Sequence, residues 1–156
     1  MIRVPVVLDR AFRFDVGVDA AFDLLSDVPA WGRLFPRVTS LDPVPEHGPH
    51  AWRWTMDPLG PPGFEAVTVY GCRYVVEAER HSVVWAPIES VGNARFEGEV
   101  ALKPEGEGTA GSLHLAADLE LPAPRFARAV VQPAVAFEMG RMTDAFLRRV
   151  RDELEA

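Results

Sequence analysis

Cysteine is nearly absent from this 156-residue sequence, and the single Cys72 excludes an intrachain disulfide and a thiolate metal cluster. Cys72 lies in an apolar, strand-like run, where a buried and inert thiol is expected. No apolar run approaches the ~20 residues that cross a bilayer, so no integral membrane segment is expected. The N-terminus MIRVPVVLDR lacks the apolar stretch and small-residue cleavage site of a secretory signal, and a cytoplasmic location is the expectation. Lysine is confined to Lys103, every other basic residue being arginine, and the formal net charge is −7. That charge, with arginines scattered among acids, repels a phosphate backbone and argues against a nucleic-acid partner.

Motifs for the commoner chemistries are missing as well. His47, His50, His81 and His114 fall in loops, at a turn or on the polar face of a strand, and no two have metal-ligand spacing. The sequence has no HExxH, no phosphate-binding GxxxxGK and no Ser–His–acid pattern. The glycines of GEGTAGS, Gly106 to Ser112, follow no strand into a helix and are read as a hairpin. Neither a metal nor a cofactor is expected.

What is present is a full-sized core for one domain spanning residues 1–156, with 48% hydrophobic residues. Val4, Val6, Leu8, Phe12 and Phe14 alternate with Arg3, Asp9, Arg13 and Asp15, the pattern of a strand with one buried face. Phe22, Leu25 and Val28 then recur every three residues, which predicts a short helix N-capped by Asp19 and ended by Pro29. Trp31, Leu34 and Phe35 predict a second short helix, stopped by Pro36.

Beyond Arg37 the period is two and turn residues recur, predicting about six antiparallel strands in a meander. The last of these carry Phe96, Val100 and Leu102, then Leu113, Leu115, Leu119 and Leu121. From Arg125 an apolar stripe at helical spacing runs through Phe126, Val130, Val131, Ala134, Val135, Met139, Met142, Phe146, Val150 and Leu154. It predicts a helix of roughly thirty residues, about 45 Å long, kinked at Pro133.

A sheet with one buried face must close on something, and the long helix is the only large apolar partner in the sequence. This order, with the segment FDLLSDVPAWGRLFPRV from Phe22 to Val38, resembles the START/Bet v1-like superfamily, also called SRPBCC or polyketide cyclase/dehydrase. Leu25, Asp27, Val28, Trp31, Phe35 and Pro36 carry the resemblance, with Gly108 and Thr109 before the last strand. It implies an α+β helix-grip fold: a curved antiparallel sheet of about seven strands around a long C-terminal helix, with two short helices after the first strand. It also implies an interior cavity for a lipophilic small molecule such as a lipid, an isoprenoid or a polyketide-like compound. The proline-rich stretch from Pro58 to Gly63 is then a candidate rim loop over the mouth.

The candidate lining is Trp31, Phe35, Trp52, Trp54, Tyr70, Trp85, Phe96, Val135, Glu138 and Met142. Such residues equally suit a packed core, and a ligand site requires that a few hundred Å³ remain open between them. The face of the strand that carries Tyr70, Cys72 and Tyr74 on one parity and Val67, Val69, Arg73 and Val75 on the other is left open by periodicity. Glu138 lies close to the apolar stripe and, if buried, needs a cation; among Arg53, Arg73 and Arg95, Arg73 is the preferred partner. Two functions follow: carriage of a lipophilic molecule, or a cyclase/dehydratase reaction with Tyr70 or Tyr74 as acid, Arg73 as orienter and Glu138 as base. The second requires these side chains in one pocket. Monomer and homodimer are both compatible with the sequence.

Overall fold

Strand alternation closes into one antiparallel sheet of seven strands in the order β1-β7-β6-β5-β4-β3-β2, in a computed structural model that describes residues 1–156. The strands are β1 (Ile2–Phe14), β2 (Val38–Pro43), β3 (Ala51–Leu59), β4 (Ala66–Glu77), β5 (Ser82–Gly92), β6 (Ala94–Glu105) and β7 (Gly108–Leu121). Strands β2 to β7 form the expected meander, and β7 pairs back onto β1 from Ile2↔Leu121 to Phe14↔Thr109. The sheet curls into a half-barrel around α3 (Arg128–Leu154), and α1 (Val18–Leu25) and α2 (Val28–Leu34) close one end. This is the helix-grip fold. No helix is long and apolar enough to cross a membrane.

Several local expectations need correction. Asp19 is not the N-cap: α1 starts at Val18 after Gly17, and Asp19 lies in its first turn, where a carboxylate still suits the helix dipole. Pro29 does not simply end α1. It occupies the first turn of α2, where its missing N–H costs no intrahelical bond. The apolar stripe is narrower than predicted, because Phe126 and Val130 are exposed. At 100° per residue Val130 and Val131 cannot both face the sheet, and the buried line runs through Val131, Val135, Met139, Met142, Phe146 and Val150. Pro133 lies inside α3, which continues through it.

The helix is held at both ends of its contact. Arg33 of α2 forms a two-pronged ion pair with Glu153 at 2.6 and 3.0 Å, and Arg149 donates to the Leu34 carbonyl at 3.2 Å. Towards the N-terminal half, Arg10 of β1 pairs with Asp144 at 2.7 Å and Gln132 donates to the Pro5 carbonyl at 3.3 Å. The ion pairs among these contacts are exposed and set the helix position more than they stabilise it.

Within the sheet, Gly98 of β6 faces Trp85 of β5 and Leu115 of β7. A methyl group on Gly98 would overlap the Trp85 indole and the His114 carbonyl, so this glycine lets the indole lie flat across the strand. Gly98→Ala is expected to destabilise the fold by about 1–3 kcal/mol, read as a lower urea midpoint with unchanged slope.

Candidate functional site

The concave face of the sheet is unusually aromatic, and its side chains come from strands whose buried parity is now decided. On β4 the inward parity carries Thr68, Tyr70, Cys72 and Tyr74, all buried, while Val67 and Val75 are exposed. Trp54 and Met56 point inward from β3, Trp85 from β5 and Phe96 from β6. Trp31 and Phe35 reach in from the α2 segment, and Met139, Met142, Thr143 and Phe146 from α3.

These side chains pack largely on one another. Trp54, Tyr70 and Phe96 form a stacked row with ring centroids 5.9 and 3.9 Å apart. Trp31 meets Tyr74, Trp85 and Phe146 at 5.9, 5.2 and 5.5 Å, and Phe35 meets Phe146 at 5.0 Å. The space left between them is a cavity of about 40 Å³, room for about two waters. An interior opening of a few hundred Å³ is therefore not present, because the rings fill it.

A second and much larger space lies outside it. A groove of about 650 Å³ runs between α3 and the Gly60–Pro62 loop, lined by Pro36, Arg37, Phe137, Glu138, Arg141, Met142 and Arg148 among others. Met142 borders both the cavity and the groove. One unbranched, flexible side chain thus lies between an aromatic interior and an open cleft.

The candidate residues divide accordingly. Trp31, Phe35, Trp54, Tyr70, Tyr74, Trp85, Phe96 and Met142 line the cavity. Trp52 is half-buried at the edge of the core, and Val135 is fully buried in packing; neither lines the cavity. Arg73 lies on the outer parity of β4, where it bonds the His47 carbonyl and ring Nδ1 at 3.3 and 2.9 Å. Glu138 faces the groove instead of the interior, and its partner is Arg37, not Arg73. Arg37 also donates to the Pro58 carbonyl, and Glu138 accepts the Gly60 N–H at 3.5 Å. Arg37 adopts φ +65°, a left-handed conformation rare for a side chain of this size, just after α2 stops before Pro36. Alternation does not extend into such a turn, so sequence reading passed over Arg37.

Thr143 was also passed over, being polar within an apolar stripe. Its Oγ is the one buried side-chain polar atom in the chain without a hydrogen-bond partner, and Thr143 lines the cavity. Three other polar groups are satisfied locally: Trp54 Nε1 donates to Tyr74 Oη at 2.8 Å, Trp31 Nε1 to the Leu25 carbonyl at 2.9 Å and Cys72 Sγ to the Phe96 carbonyl at 3.3 Å.

Burial dominates the electrostatics of this interior. It pushes the Tyr70 and Tyr74 phenols well above their ordinary value of 10.0, and the Cys72 thiol from 9.0 up to about 12. At neutral pH all three are uncharged and no ionised side chain lines the cavity. Phenols in that state donate hydrogen bonds but do not abstract protons. No group of three or more His, Cys, Asp or Glu side chains is placed to hold a metal ion.

Two outcomes are expected. Groups that hold their protons more tightly when folded add stability that is fully present below pH 9.0, and that stability is lost as pH rises through 10.0 and towards 12. The only two tyrosines of the chain are in this cavity, so phenolate absorbance is expected to appear only together with loss of circular dichroism, and not at the ordinary tyrosine pH. Thr143→Val, which replaces the unpaired hydroxyl by a methyl of similar shape, is expected to raise stability by about 1–2 kcal/mol in urea titration. A loss of stability would mean that the hydroxyl is paired.

Among proteins of curated function, none matches this sequence. In fold the chain is similar to the ZhuI aromatase/cyclase from a Streptomyces species, with TM-score 0.72 and 16% identity over 97% of this chain and 94% of that one. It is similar to a START superfamily protein from Mycobacterium smegmatis, with TM-score 0.65 and 14% identity over 96% and 97% of the two chains. Norcoclaurine synthase from Thalictrum flavum, solved in complex with dopamine and hydroxybenzaldehyde, gives TM-score 0.60 and 17% identity over 96% and 88%. At these identities the likeness is one of fold. A family model described as polyketide cyclase / dehydrase and lipid transport matches residues 5–155, and the chain, with its helix-grip fold, belongs to that family within the START/Bet v1-like superfamily.

Proposed function

We propose that this protein binds a lipophilic small molecule, which enters from the α3 groove and displaces Met142 to reach the aromatic interior. The observation that carries this reading is the position of Met142 between the groove of about 650 Å³ and the cavity of about 40 Å³. The closed cavity is too small for a ligand, so binding requires Met142 and neighbouring rings to move. Displacing a methionine is the least costly way to join the two spaces, because its three rotatable bonds let it repack without an empty volume. Fourteen of the fifteen residues around the cavity are hydrophobic, which suits a molecule that is itself apolar. The free hydroxyl of Thr143 offers a hydrogen bond to one ligand oxygen.

Carriage is favoured over cyclisation or dehydration of a carbonyl substrate by the separation of the proposed catalytic set. Arg73 is on the outside of the sheet and Glu138 is in the groove, so only the two neutral phenols remain inside. An acid–base pair needs groups whose proton affinities differ near neutral pH, and the interior supplies none. The family contains both kinds of protein by its description.

N-phenylnaphthylamine, a neutral apolar fluorophore, tests the reading. It is expected to bind with enhanced emission and with quenching of Trp31, Trp54 and Trp85, which line the cavity. Met142→Ala is expected to speed its association in stopped flow. Absence of binding by both the parent and the Met142→Ala protein, with native mass spectrometry finding only the bare chain, would overturn the proposal.

A further inference from the structure

The groove differs from the rest of the molecule in charge. The chain carries a formal net charge of −7, yet the groove holds three guanidinium groups, Arg37, Arg141 and Arg148, against the single carboxylate of Glu138. Arg37 and Glu138 neutralise each other. Arg141 and Arg148 are left without a carboxylate partner, and the contact of Arg141 is with the Phe137 ring, 5.9 Å from its centroid. Elsewhere on the surface arginines are commonly matched, as in Arg10–Asp144, Arg33–Glu153 and Arg95–Glu89. Spaced seven residues apart on α3, Arg141 and Arg148 share one helix face, and Met142 is adjacent in sequence to the first of them.

Resting on the reading that a ligand passes Met142, we infer that the ligand is an anionic amphiphile. Its apolar body lies in the cavity beyond Met142, and its acidic head stays in the groove on Arg141 and Arg148. Each compartment accounts for one half of such a molecule. The interior contains no ionised side chain that could hold a charge, and an unpaired carboxylate there would be strongly disfavoured. The groove supplies two free guanidinium groups, whose planar donors suit a carboxylate, phosphate or sulfonate. Paired with Arg37 and bound by the Gly60 N–H, Glu138 does not offset them.

The sign of the expected selectivity separates this inference from simple partitioning. Dodecanol is more apolar than dodecanoate, so a purely hydrophobic site takes up the alcohol in preference. A site with free arginines at its mouth takes up the acid. Displacement of bound N-phenylnaphthylamine is measured with both probes at low salt. Dodecanoate is expected to displace the fluorophore at a concentration roughly tenfold below that of dodecanol, with the advantage shrinking as salt is added. The double variant R141Q/R148Q is expected to abolish the acid-to-alcohol preference. Removing the same charge outside the groove, at Arg125 and Arg128 as R125Q/R128Q, is expected to keep it. A parent protein that binds the fluorophore but shows no preference for the acid, or a preference that survives R141Q/R148Q, overturns this inference alone. Failure of the parent to bind the fluorophore at all overturns the carriage reading and this inference with it.

Discussion

Trp31 is the contact on which the rest of the structure depends. Its indole touches Tyr74 and Trp85 on the sheet and Phe146 on α3, while its Nε1 is bound by the Leu25 carbonyl at the end of α1. One side chain therefore joins the short helices, the sheet and the gripping helix. A large apolar body with a single polar atom suits this role, provided that atom finds a partner. The Leu25 carbonyl is available because α1 stops there, and Pro29, in the first turn of α2, has no N–H to offer it. The break between α1 and α2 is thus part of how the core is closed.

That closure has a consequence for the interior. The aromatic rings which make the concave face suitable for an apolar ligand also pack against one another, and the remaining space is about 40 Å³. Under the proposed function the same residues serve both as core and as the walls of a ligand site. In that proposal the Met142 boundary keeps the two uses compatible, since neither a ring nor a branched side chain repacks as readily. The unpaired Thr143 hydroxyl is a local cost of about 1–3 kcal/mol. Buried polar groups without partners are uncommon in native proteins and call for an explanation. A ligand oxygen is the one proposed here.

The electrostatic division follows from the same geometry. The cavity lining and the buried thiol beside it are neutral at physiological pH, the proton affinities of two phenols and that thiol being raised by burial. Charged side chains lie outside the cavity: in the groove, on the convex face, or, for Arg10 on the inward parity of β1, against Asp144 of α3. Such an interior suits an apolar molecule, and the free positive charge lies in the groove.

Much of the architecture was legible in the sequence. Alternation in β1, β6 and β7, the Pro29 and Pro36 breaks and the terminal stripe led to the helix grip, because period and turn chemistry are local properties of the chain. The cavity-lining aromatics were named as candidates on the same basis, although Trp52 and Val135 fall outside the lining. Local pattern was insufficient wherever two faces looked alike. The inward face of β4, with Tyr70 and Tyr74 inside and Arg73 outside, was decided by which side meets α3. Likewise Glu138 takes Arg37 as its partner, 101 residues away, because the left-handed turn after α2 brings that arginine to the groove. The sequence by itself determined the elements and their order, since these depend on near neighbours in the chain. Tertiary structure alone decided the near-filled interior, the groove beside Met142 and the unpaired Thr143, because each depends on distances between residues that are far apart in sequence.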